Sequence, residues 1–190
     1  MNLPTQTNKI FRMLSRGQFI SSNSSDKNIS ELYKVIDAEN TFELLSDYFK
    51  HIDFILERGD GYFYFSRPES KTILEMKLRK AYEWIDLLDF FKSFDNTFGV
   101  GYRFRPSEIL VQLNTNADLE IKLGALGKQV KRKSQNEILD RVLKKLVDDG
   151  FIELESEISH LYKVLDAFKY LEQLIMIINI PEEVKNEIPK

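Results

Sequence analysis

"HIDFILERGDGYFYFSR", residues 51–67, holds an alternating run, a Gly-Asp-Gly tripeptide and four consecutive aromatics. Ile52, Phe54 and Leu56 alternate with Asp53 and Glu57, the pattern of a strand with one buried face. Gly59-Asp60-Gly61 supplies a turn, and Tyr62 to Phe65 have the aromatic composition of a returning strand. The spacing predicts a β-hairpin. Arg58-Gly59-Asp60 also matches an adhesion tripeptide, but three letters recur by chance and adhesion needs an extracellular protein. Positive φ at Gly59 and Gly61 is expected to account for both glycines.

Three helical patterns precede the hairpin. Ile10, Phe11 and Leu14 repeat at helical spacing before Gly17 breaks the pattern. The polar stretch "ISSNSSDKN" reads as a loop, with Ser30 as the expected cap of a helix carrying Leu32, Val35 and Ile36. Thr41 is the expected cap of a third, carrying Phe42, Leu45 and Phe49. Three helices followed by a hairpin is the element order of a winged helix-turn-helix unit, with the hairpin as wing.

Residues 71–95 then read as one long helix. Its second half is apolar on nearly every side, so Trp84, Phe90, Phe91 and Phe94 are expected between units or at a partner interface. Pro106 opens the first of three further helical patterns, and Gly150 closes the last. "FIELESEISHLYKVL" gives two strand-like runs around an acidic turn, and a final amphipathic helix stacks Phe168, Leu171, Leu174 and Ile178. The expected fold is mainly α with small β-hairpins (α+β): two tandem winged units joined by a long helix. The boundaries read as an N-terminal unit over 1–70, a linker helix over 71–100, a C-terminal unit with its terminal helix over 101–180, and a tail over 181–190.

Composition narrows the chemistry. At 190 residues and 43% hydrophobic content the chain can bury a real core. Its formal net charge of −3 gives no overall attraction to nucleic acid or anionic lipid, so such binding would need a local patch. The absence of cysteine removes thiolate catalysis and Cys-based zinc sites. No signal-peptide pattern opens the chain, the apolar tracts fall short of a membrane span, and the expected compartment is the cytosol. "GALGKQ", residues 124–129, lacks the glycine spacing, the Ser or Thr after lysine and the preceding strand that a phosphate-binding loop needs. His51 and His160 have no partners at a spacing that proposes a metal site or a nucleophile. The carboxylates of "ELESE" read as a solvated edge that discourages strand pairing. No enzyme, catalytic, cofactor or metal constellation is expected.

The strongest charged feature is "GKQVKRKSQNEILDRVLKK", residues 127–145. Lys128, Lys131, Arg132, Lys133, Arg141, Lys144 and Lys145 stand there against Glu137 and Asp140, a local charge of +5. The segment covers the turn into the third helix of the second unit, where a helix-turn-helix meets the DNA backbone. With few Asn or Gln readers it would favour phosphate contact over base readout. Arg67, Arg79, Lys80, Arg103 and Arg105 could widen it. The plainer reading is a solvated helix face with pairs such as Glu137–Arg141.

Several longer stretches also resemble a known family. "RGQFISSNS" at 16–24, "YFKHIDFILERGDGYFYFSRPE" at 48–69, "WIDLLDFF" at 84–91, "GYRFRPSEI" at 101–109 and "YKVLDAFKYLEQLI" at 162–175 resemble the MksE subunits of bacterial MukBEF-like condensins. The resemblance implies a non-enzymatic kleisin-interacting tandem winged-helix protein similar in role to MukE. It further implies a homodimer, binding to the kleisin MksF, association with the SMC-like ATPase MksB, and DNA contact within that complex. Chromosome organisation on the nucleoid is the implied output, with Wadjet-type plasmid defence as a branch. The alternative from the residues alone is a stand-alone winged-helix transcription regulator.

Overall fold

The computed structural model describes residues 3–67, 71–127 and 134–178, the side chains of 71–81 and 177–178 excepted. Within them lie eight helices and two three-stranded antiparallel sheets, the helix-rich α+β class that the sequence predicts. The first half runs α1 (Thr7–Leu14), β1 (Ile20–Ser21), α2 (Lys27–Asp37), α3 (Thr41–Lys50), β2 (Ile55–Arg58) and β3 (Tyr62–Ser66). The hairpin β2–β3 is present, with Leu56 opposite Phe65 and Arg58 opposite Phe63. It gains a third strand from the stretch read as loop, since Ile20 pairs with Phe63 and places β3 in the middle. Two residues are too few for any periodicity to reveal.

Local chemistry moves several boundaries. α2 is capped by Asp26, whose carboxylate accepts from the Asn28 N–H at 2.8 Å. Ser30, the expected cap, lies inside the helix and donates its N–H to the Asp26 carbonyl at 2.9 Å. Thr41 is the first residue of α3, with Asn40 before it at φ 60. β2 starts at Ile55 because 51–53 form a turn with Asp53 at φ 62, which leaves Ile52 43% exposed. The turn glycines differ in their reasons. Gly61 has φ +85, as expected, whereas Gly59 does not: a Cβ there would sit 2.1 Å from the Tyr62 ring.

The four aromatics of β3 divide between two cores. Phe63 meets Tyr33 at 5.0 Å and Phe42 at 5.8 Å, and Phe65 meets Phe49 and Phe54 at 4.9 Å each, all within the first half. Tyr62 and Tyr64 point the other way, to Phe19, and Tyr64 also meets Tyr170 at 5.2 Å. Alternation across a strand thus explains a run that is apolar at every position. Tyr62 and Phe19 belong to the second core, Phe63 to the first.

That second core is built on the end of α4 (Lys71–Phe94). Trp84, Phe90, Phe91 and Phe94 are each at most 8% exposed, so of the two places expected for them, between units or at a partner interface, the chain's own core is where they lie. Phe91 stacks on Phe98 at 4.4 Å, and Trp84 sits edge-on to Phe151 at 5.1 Å. Around them fold β4 (Arg103–Phe104), α5 (Pro106–Leu113), α6 (Ala117–Leu126), α7 (Gln135–Asp148), β5 (Ile152–Ser156), β6 (Leu161–Val164) and α8 (Phe168–Ile178). The order β4-β6-β5 copies β1-β3-β2, with the last strand central in both. The halves differ in helix placement: β1 follows its first helix and is separated from its hairpin by two helices, while β4 precedes all of α5, α6 and α7. The end of α4 takes the vacant helix-before-strand place.

Truncating Trp84 removes a large side chain from the junction of α4 and β5. Trp84→Ala is expected to cost about 3–5 kcal/mol, read as a lower midpoint in urea denaturation.

Candidate interaction surfaces

Of the seven cations in the basic segment, Lys128, Lys131, Arg132 and Lys133 lie outside the described residues. Arg141, Lys144 and Lys145 are on α7. That helix is capped by Ser134, which accepts the Glu137 N–H while the Glu137 carboxylate accepts the Ser134 N–H at 2.9 Å. Leu139, Val142, Leu143 and Leu146 form its buried stripe, which turns Arg141 and Lys144 outward. Lys144 pairs with Asp148 at 3.2 Å, and Lys145 pairs with Glu83 at 3.0 Å above the Trp84 ring. Such exposed pairs contribute about 0–1 kcal/mol and leave both lysines exchangeable to a phosphate.

Three of the five cations expected to widen the patch are engaged within the chain. Arg103 grips Glu155 through two nitrogens, at 2.6 and 2.9 Å. Arg105 reaches Glu108 at 3.3 Å, and Arg67 lies 3.8 Å above the Phe54 ring. The side chains of Arg79 and Lys80 lie outside the described residues. The charges of the Arg-Gly-Asp tripeptide are also engaged within the chain: Arg58 meets Asp37 at 2.8 Å, and Asp60 meets Lys169 at 2.7 Å. The His51 ring nitrogen lies 2.6 Å from the Asp47 carbonyl.

The densest polar cluster lies where the sequence reads loop and solvated edge. Residues 21–25, Ser-Ser-Asn-Ser-Ser, run along the second half and bond to it almost residue by residue. Asp166, only 7% exposed, accepts from the Ser22 hydroxyl at 2.6 Å and the Asn23 N–H at 3.2 Å. The Asn23 amide donates to the Val164 carbonyl and accepts from the Asp166 N–H. Ser24 donates to Glu153 at 2.6 Å, and the Ser25 hydroxyl donates to Glu155 at 2.9 Å. Lys163 closes the cluster by donating to the Asn23 carbonyl and the Ser25 hydroxyl.

Glu153 and Glu155 therefore do not form a solvated edge. Their side chains are 15% and 19% exposed because they face the first half. Hydrogen bonding from Arg103, helped by Ser25 and the charge of Lys163, outweighs burial and holds the Glu155 carboxyl down at about 2. The only signals for this seam in the sequence are the run of short hydroxyl and amide side chains and the acidic hairpin. Neither reveals its partner across more than a hundred residues. Beside the seam, Ser25, Asp26, Ile29, Glu153, Leu154 and Glu155 line a polar cleft of about 340 Å³. Among the described residues, no group of His, Cys, Asp and Glu could hold a metal ion.

The family model for condensin complex protein MksE matches residues 5–175, a span that includes both cores and the seam and ends inside α8. The chain belongs to the MksE family. No curated protein matches it. The MksE family is one of condensin accessory subunits and not a known enzyme family. No helix among the described residues is long and apolar enough to cross a membrane.

The depressed Glu155 carboxyl has a defined pH signature. Its pKa lies below the ordinary 4.5, so its contribution to stability is complete above about 4.5 and is lost as pH falls toward about 2. Glu155→Gln is expected to lower stability at pH 7 and to flatten the acid limb over that window, measured by urea titration at stepped pH.

Proposed function

We propose that this chain is a non-enzymatic kleisin-binding adaptor of a bacterial condensin. The observation that carries the reading is the MksE match, which spans both halves of the fold. Two sheets of one strand order, each preceded by helices and ending in a hairpin, support a tandem winged-helix description. In this reading the chain forms a homodimer and binds an MksF-like kleisin. It joins an MksB-like ATPase that supplies the ATP hydrolysis, and it acts in the cytoplasm on the nucleoid.

The kleisin surface belongs on side chains the fold leaves open. Trp84, Phe90, Phe91 and Phe94 are consumed by the core, whereas Val111 on α5 and Ile121 on α6 are 67% and 71% exposed. DNA contact inside the complex falls to the basic segment, through phosphates and without sequence readout. A chain of net charge −3 with one basic segment suits a subunit that touches DNA within an assembly. It suits a solitary operator-binding regulator less well.

Co-purification with an MksF-like kleisin and an MksB-like ATPase from the same genome tests the assignment, and failure to form a complex at micromolar concentration sinks it. Charge reversal at Lys131, Arg132 and Lys144 is expected to lower DNA retention by the assembled complex on the order of tenfold and to reduce its salt slope. Kleisin binding should be unchanged. Equal DNA retention by the variant complex would remove the basic segment from the reading.

A further inference from the structure

The two halves of the chain are joined covalently through α4, and one helical connection by itself leaves rotation open. Besides the face of β3 that packs Tyr64 on Tyr170 at 5.2 Å, three attachments close it. The Phe19 ring, just ahead of β1, meets Phe151 at 5.1 Å and Tyr170 at 5.3 Å, at the start of β5 and on α8. The loop after β1 engages Asp166 and the β5–β6 hairpin through Ser22, Asn23, Ser24 and Ser25. The turn of the first hairpin holds Lys169 on α8, through both the side chain and the carbonyl of Asp60. These contacts leave three places in the first half and reach three different elements of the second.

Their chemistry makes the arrangement specific. Asp166 is buried, and among its hydrogen-bond donors the Ser22 hydroxyl and the Asn23 N–H both come from the first half. Rotation that kept the seam closed would take away both first-half donors and leave the covered carboxylate only Lys169, 3.7 Å away on its own half, and an under-satisfied buried carboxylate costs more than an unmade surface contact. The close fit is geometric as well. A Cβ on Gly61 would lie 2.8 Å from the Asp166 carboxyl, and a Cβ on Gly150 would lie 3.3 Å from the Phe19 nitrogen.

We infer that loop 21–25, closed on Asp166, is a latch that fixes the two halves at one angle. The α4 helix is then no hinge, and partners meet one rigid body. Asp166 is a positioning residue. The inference stands on these contacts and holds whether or not the condensin reading does.

The full chain contains no cysteine, so Asp47→Cys on α3 and Ile121→Cys on α6 provide two exclusive positions for spin labels. Double electron–electron resonance should give one narrow distance distribution with the latch intact. Asp166→Ala combined with Asn23→Ala should widen it at least twofold while helical circular dichroism is retained. Should that pair fail to fold, Ser22→Ala is the milder variant and should widen the distribution in the same direction. A broad distribution with the latch intact, or an equally narrow one in a folded latch variant, overturns the inference.

Discussion

Strand β3 must satisfy two hydrophobic cores at once, and the rest of the molecule is arranged around that demand. A strand in a small antiparallel sheet ordinarily turns one face to water, so its apolar residues alternate with polar ones. Here Phe63 and Phe65 close the first core while Tyr62 and Tyr64 face the second. Tyrosine suits the second role because its ring packs while its hydroxyl can still reach a polar edge. Tyr62 reaches toward Gln173 at 3.5 Å, and burial pushes its phenol up to about 12. A hairpin that is a projecting finger in a free-standing unit becomes an internal wall.

How much of this the sequence disclosed depended on range. The β2–β3 hairpin, the helical patterns and the over-apolar end of α4 were legible because each is encoded within a dozen neighbouring residues. The strands β1 and β4, at two residues apiece, carry no pattern and exist only because a longer strand accepts them. Asp26 prevailed over Ser30 as a cap through its carboxylate, a choice between two acceptable residues that spacing alone does not make.

The functional surfaces divide along the same line. The charge of the 127–145 segment was plain, but the assignment of Arg103 to Glu155 was not. Whether a cation is free depends on what the fold sets opposite it. The serines and asparagine of loop 21–25 looked like filler because their partners lie 128 to 146 positions away. The family match adds what neither periodicity nor geometry supplies, a place for the chain among condensin proteins.

The double-faced sheet also shapes the birth of the protein. A ribosome releases the first half well before Phe151, Tyr170 and the rest of the second core have been made. Throughout that interval Phe19, Tyr62 and Tyr64 form an aromatic surface without a cover, on a sheet whose other face is already satisfied. The first half alone therefore presents an uncovered aromatic face, which Phe151 and, on α8, Tyr170 close over.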